Sequence, residues 1–226
     1  MTKIDIFSGF LGAGKTTLIK KLIKEAFAGE KIVLIENEFG EIAVDGGFLK
    51  DSGIQITEMS QGCICCSLVG DFGKALNKVI EQYNPERILI EPSGVGKLSD
   101  VIRAVRDLGN ENIVLNSFTT VVDTARCKMY MKNFGEFFND QVEHANSIIL
   151  SRSQNVSDEK IDEVMQMLRE HITGATIITT PWDELDGKTI LDAMEHKNAL
   201  EKELALLAEE DEHEHHHHHH HDDDDD

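Results

Sequence analysis

The chain has 226 residues, 40% of them hydrophobic, and a formal net charge of -20 at pH 7. That length suits one domain with a full core, or one domain plus a tail. No apolar run reaches the ~20 residues of a membrane helix, and no basic face is evident for nucleic acid, so neither a membrane nor a nucleic-acid partner is expected.

The charge is unevenly spread. Residues 209–226 hold ten Asp and Glu and no Lys or Arg, and eight of the eleven histidines. The N-terminus runs directly into a strand, without a charged-then-apolar leader, so the cytoplasm is the expected compartment. Three of the four cysteines fall within four positions, a crowding that in a reducing compartment suggests metal or redox chemistry.

Ile4-Asp5-Ile6-Phe7 alternates as a strand. Gly9-Phe10-Leu11-Gly12-Ala13-Gly14-Lys15-Thr16 follows, then Thr17 and a segment with apolar residues at helical spacing. Strand, G-x-x-x-x-G-K-T and helix together are the setting of a phosphate-binding loop. Glycines let backbone N–H groups converge on phosphate oxygens, and the helix N-terminus adds partial positive charge there. Lys15 is expected on the β- and γ-phosphates and the Thr16 hydroxyl on Mg²⁺. Gly9, Gly12, Ala13, Gly14, Lys15, Thr16 and Thr17 are the expected nucleotide contacts.

Lys31 to Ile35 reads as a buried parallel strand ending in Glu36-Asn37-Glu38-Phe39-Gly40-Glu41. Ile54 to Glu58 alternates as another strand. Gly62-Cys63-Ile64-Cys65-Cys66 then leads into a helix over about 71–82. Thiolates are soft ligands suited to Zn²⁺, Cu⁺ or an iron–sulfur cluster. C-x-C-C offers three where a closed zinc site wants four, which suits a metal that is accepted and released. Buried structural cysteines and a redox dithiol are the blander readings.

Arg87 to Ile90 is a buried strand ending in Glu91-Pro92-Ser93-Gly94. An acidic residue there is expected to hold Mg²⁺ or its water, and the Gly94 N–H is expected to be offered to the γ-phosphate. Residues 99–108 read as a helix, 113–115 and 119–122 as strand, 136–146 as a helix and 147–150 as strand. Ser157 caps a helix with acidic residues in its first turn. Ala175 to Thr179 is the last expected strand. Cys127, His144, His171 and His196 are each isolated and are left outside the site.

Alternating strands and helices give an α/β fold, a P-loop NTPase with a mainly parallel sheet and helices on both faces. Ligands on such sheets sit at the carboxyl ends of the strands. The phosphate loop, Glu36–Glu41, the cysteines and Glu91–Gly94 all follow strands and are expected on one edge. The NTPase domain is expected over 1–208. An acidic, histidine-rich tail follows over 209–226, too poor in apolar surface to fold alone. Its His215, His216 and His217, within a run of seven histidines, are candidate ligands for a transition metal. A purification tag also looks like such a run, but Glu–His alternation before it and five aspartates after it set this one apart.

Gly9–Thr17, Glu36–Glu41, Gly62–Cys66 and Glu91–Gly94 in this order resemble the CobW-like P-loop GTPases, over about residues 1–180. The resemblance implies GTP and Mg²⁺ at Lys15, Thr16, Glu91 and Gly94. It implies zinc or another transition metal, such as cobalt or nickel, at Cys63, Cys65 and Cys66. It also implies delivery of that metal to a client apo-metalloprotein, and dimerisation across the nucleotide face. One departure concerns the base. Where most members carry N-K-x-D, this chain has Ser151-Arg152-Ser153-Gln154, and Gln154 lacks the two-acceptor edge that reads guanine. At this point GTP and ATP both stay open. Two alternatives stand beside the metallochaperone: a metal buffer with a vestigial nucleotide site, and an ATP-using reactivation factor of the same fold.

Overall fold

The computed structural model describes residues 1–36 and 69–196. Six parallel strands form one sheet: β1 (Thr2–Ser8), β2 (Ile32–Glu36), β3 (Arg87–Glu91), β4 (Ile113–Asp123), β5 (Ser147–Ser151) and β6 (Thr176–Ile178), in the order β2-β3-β1-β4-β5-β6. Among the described residues six helices alternate with them: α1 (Lys15–Glu25), α2 (Val69–Tyr83), α3 (Leu98–Arg106), α4 (Cys127–Glu143), α5 (Asp158–His171) and α6 (Gly187–Met194). This is the expected α/β architecture.

Strand alternation sorts the core onto two faces. Ile4, Ile6, Val33, Ile35, Ile88, Ile90, Phe118, Val122, Ile148 and Leu150 pack beneath α2, α3, α4 and α5. Phe7, Ile32, Leu34, Leu89, Val121 and Ile149 pack against α1 and α6. Both faces are buried, so the strands read as continuous apolar runs.

Three expectations change. The strand pieces at 113–115 and 119–122 are one strand, because pairing with β1 passes through a bulge: Ile4 faces Leu115, Asp5 faces Ser117, and Asn116 is the extra residue. The helix expected at 136–146 starts at Cys127. A non-helical Phe134 (φ -135°, ψ 32°) kinks it and breaks the apolar period. Helix α6 had no sequence reading, although the Asp186 side chain caps it by accepting from the Thr189 N–H at 2.8 Å. Ser157 caps α5 as expected. The strand over 54–58 and the tail over 209–226 lie outside the described residues.

Beneath the sheet centre lies a charged cluster. Arg87, 2% exposed, donates to Asp5, to Glu30 at 2.7 Å and to Glu195 at 3.1 Å, with the Phe27 ring 4.5 Å away. Asp5 is fully buried and also accepts from Asn116 and Ser117 at 2.7 and 2.6 Å. Burial lowers the pKa of the guanidinium, but Asp5 and Glu30 outweigh it and hold that pKa above its ordinary value. Glu195 follows α6, so the cluster ties the last described helix to β1 and β3. Removing one partner of such a cluster leaves buried charge uncompensated. Arg87→Ala is expected to cost about 3–5 kcal/mol in urea unfolding; a loss under 1 kcal/mol would show that the cluster contributes little.

Candidate nucleotide site

The loop between β1 and α1 is built on glycine. Gly9, Gly12 and Gly14 have φ of 138°, 68° and 108°, values that side chains rarely adopt. A Cβ on Gly9 would stand 2.4 Å from the Val121 carbonyl oxygen. The loop therefore lies directly on β4, and α1 starts at Lys15 with its N-terminal N–H groups at the sheet's carboxyl edge.

Lys15 is 8% exposed, and its ammonium donates to the Gly9 carbonyl at 2.9 Å and the Phe10 carbonyl at 3.4 Å. It spans the loop it is expected to serve. The Thr16 hydroxyl donates to the Glu91 carboxylate, 2.9 and 3.1 Å from its two oxygens. Glu91 ends β3 and is 5% exposed, with Glu36 of β2 as its register partner. A hydroxyl and a carboxylate facing one another form a hard, all-oxygen pair, the donor set that suits Mg²⁺. These residues fit that ion.

Gly94 packs against the same loop. A Cβ there would meet the Leu11 nitrogen at 2.7 Å and the Leu11 Cα at 2.9 Å, and the Gly94 carbonyl accepts from Gln141 at 3.1 Å. A cavity of about 500 Å³ opens between the two segments, lined by Gly12, Gly14, Lys15, Thr16, Glu91 and Gly94 among others. Lys15, Thr16, Glu91 and Gly94, far apart in sequence, share this one space.

A second cavity of about 460 Å³ adjoins it and shares Gly14, Thr17 and Arg152 with the first. Ala13, Ser151, Gln154, Trp182 and Asp183 also line it. Ser151 is buried, with its hydroxyl 3.4 Å from the Val122 carbonyl, while Gln154 is exposed on the loop after β5.

Sequence reasoning missed three residues here. Arg152 donates to Asp123 at the end of β4 and to the Gly12 carbonyl at 2.9 Å, bracing the phosphate loop from outside. Trp182 has an indole carbon 3.1 Å from where a Cβ on Gly14 would stand. A strand ending in Asp123, and a lone Trp just after Pro181, were the available signals.

Cys63, Cys65, Cys66, His215, His216 and His217 lie outside the described residues. Among the described residues no group of three or more His, Cys, Asp or Glu is placed to hold a metal ion. Cys127 is fully buried, and burial pushes its thiol up to about 12, which suits a structural residue rather than a ligand.

A phosphate loop after the first strand, a carboxylate at the end of a neighbouring strand and a parallel sheet with helices on both faces define a P-loop NTPase domain. The nucleotide-binding domain of CobW/HypB/UreG matches residues 3–179, and the chain belongs to that family, a group of P-loop GTPases. The zinc chaperone YeiR of Escherichia coli K12 is 29% identical over 222 residues, covering 92% of this chain and 67% of that protein. The zinc chaperone CobW of Sinorhizobium sp is 41% identical over 129 residues, covering 53% of this chain and 36% of that protein. The chain thus spans from about a third to two thirds of these curated relatives. Among solved structures, Zn(II)-bound YjiA GTPase from E. coli has the same fold, with a TM-score of 0.59 and 24% identity, covering 78% of this chain and 57% of that one.

Gly94→Ala tests the closeness of the two segments. The new Cβ should push Leu11 away, costing about 1–3 kcal/mol of stability as forced overpacking does, and lower affinity for a nucleoside triphosphate about tenfold in a chain that still folds. Unchanged affinity by calorimetry would separate Gly94 from the phosphate cavity.

Proposed function

We propose that the chain is the GTP-binding and GTP-hydrolysing part of a metallochaperone. It would take up a transition metal, zinc first, and release it to a client apo-metalloprotein according to nucleotide state. The observation that carries this reading is the Thr16–Glu91 hydrogen bond inside the cavity that Lys15 and Gly94 also line. The names of YeiR and CobW as zinc chaperones support zinc as the cargo.

Each residue has a role in this reading. Gly9, Gly12, Ala13 and Gly14 present backbone N–H groups to the phosphates. The Lys15 ammonium exchanges its loop carbonyls for phosphate oxygens and offsets the charge that develops there. The Thr16 hydroxyl and Glu91 carboxylate would hold Mg²⁺, which supplies charge neutralisation when bound. The Gly94 N–H orients the terminal phosphate. Thr17, Ser151 and Gln154 line the space for ribose and base.

The cargo is assigned to Cys63, Cys65 and Cys66, with His215, His216 and His217 of the tail as an auxiliary store. The chain leaves β2 at Glu36, beside Glu91, so the segment bearing these cysteines is tethered to the phosphate edge. That tether supports a metal site responsive to nucleotide. Cobalt or nickel would suit the same ligands less specifically. Leu11 and Val95, 56% and 40% exposed, stand at the cavity mouth and support a protein partner there, a client or a second copy. Among the described residues no helix is long and apolar enough to cross a membrane. The working compartment proposed is the cytoplasm, and the division into 1–208 and 209–226 is retained.

Two measurements test the reading. Lys15→Ala should abolish triphosphate binding by calorimetry, and retained binding would remove the nucleotide half. Cys63→Ser, Cys65→Ser and Cys66→Ser together should lower bound zinc by one tight equivalent and uncouple GTP turnover from zinc. Unaltered zinc stoichiometry and coupling would remove the metal half.

A further inference from the structure

The two adjoining cavities divide a nucleotide between them. Phosphates belong in the one lined by Lys15 and Glu91, so ribose and base extend past Thr17 into the one lined by Ser151, Gln154, Trp182 and Asp183. Guanine differs from adenine along one edge. It presents two adjacent donors, N1–H and the 2-amino group, where adenine presents one amino group beside an acceptor. A carboxylate accepts both guanine donors at once and has nothing to give adenine N1. Gln154, with one oxygen and one NH₂, matches adenine at least as well as guanine.

We propose that Asp183 is the residue that reads guanine in this chain. The reader then stands on the loop after β6 instead of the loop after β5. This rests on the nucleotide-binding reading above. β5 and β6 are neighbours in the sheet, so the loops that follow them face one cavity from adjacent positions. Asp183 sits in a short 3₁₀ turn, Trp182–Glu184, which starts at Pro181. The Glu184 N–H bonds the Pro181 carbonyl at 2.9 Å, and the Leu185 N–H bonds the Trp182 carbonyl at 3.2 Å. Trp182 itself is half-buried and packs against the core formed with α1 and α6 and against Gly14. Asp183 is therefore an exposed carboxylate carried on a turn whose neighbours are fixed. It has no hydrogen-bond or ion-pair partner among the described residues, so both its oxygens are open to a ligand.

The opposite wall supports the same use. Lys20, Lys21 and Lys24 of α1 line the cavity, with Lys21 paired to Glu25 at 2.8 Å. These ammonium groups can only donate, so they suit the acceptor side of a base or the ribose hydroxyls. Asp183 supplies the acceptor pair that the departure from N-K-x-D removed.

The test is a set of affinities for the full chain with Mg²⁺ and, in turn, GTP, ATP and xanthosine triphosphate. The unaltered chain should prefer GTP to ATP. Asp183→Asn should lose about tenfold to a hundredfold in GTP affinity while ATP binding stays level. It should gain affinity for xanthosine triphosphate, because the C2 carbonyl of xanthine accepts from the new amide NH₂. Glu184→Gln, an equal charge change on the same turn outside the cavity, should leave the preference as it was. A GTP preference that survives Asp183→Asn overturns the assignment, and if Gln154→Ala abolishes that preference the reader lies on the β5 loop. ATP preference in the unaltered chain also overturns it. If the unaltered chain binds no triphosphate, the functional reading falls and takes this assignment with it.

Discussion

The site depends on a single close approach, that of Gly9 to the Val121 carbonyl. With room for a Cβ only 2.4 Å from that oxygen, no other residue type lets the loop lie on β4 as it does. The consequences run outward. Because the loop lies flat on the sheet edge, α1 begins at Lys15 and its next residue, Thr16, falls opposite the last residue of β3. Because Gly94 also lacks a Cβ, the segment after β3 closes onto Leu11. The cavity is what remains between two backbones that glycine allows to approach.

The opposite end of the sheet shows how the strands that carry this loop are held. Arg87 and Glu91 are the first and last residues of the same five-residue strand. Arg87 anchors one end in a cluster of carboxylates, and Glu91 brings the other to Thr16. Asp5 joins that cluster from the middle of β1, four residues before Gly9, and the bulge at Asn116 lets β4 turn both Asn116 and Ser117 toward it. A buried ion pair of this kind adds little net stability but is costly to break. Its effect here is to fix β1 against β3 and β4, and the segments that follow β1 and β3 line the first cavity.

How much of this was legible depends on what each feature asks of the sequence. The phosphate loop demands glycine at fixed spacing and a Lys-Thr pair, so Gly9 to Thr17 was readable from residue types alone. Buried parallel strands demand apolar runs, so β2, β3 and β5 were placed to within a residue or so. Helix α4 was half missed because Phe134 leaves helical geometry and interrupts the apolar period. Helix α6 is only eight residues long and offered a weak signal. The Arg152–Asp123 pair and the approach of Trp182 to Gly14 are products of strand order. Nothing local to 152 or 182 states that β4, β5 and β6 are consecutive in the sheet. The expected grouping of the cysteines with the phosphate site concerns residues outside those described, apart from the point of departure at Glu36.

The same strand order bears on whether the nucleotide site is a remnant. Loss of N-K-x-D viewed alone favours a chain that has given up nucleotide and kept metal. A remnant, however, has no reason to keep the groups that hold the loop in this geometry. Here Arg152, at the position of the motif's lysine, still bonds the Gly12 carbonyl, and Asp123 fixes that guanidinium in place. The Thr124 hydroxyl bonds the Ser151 carbonyl at 2.8 Å, so the segment that departs from the motif is held to the end of β4. Lys15 is buried against its own loop, and the Thr16 hydroxyl is bonded to the Glu91 carboxylate. Lys15, Glu91 and Asp123 are buried charged groups, and each would be costly to bury without a partner. Arg152 braces the loop from the altered motif, and under the assignment proposed for Asp183 the motif's second task, recognising the base, passes to the loop after β6.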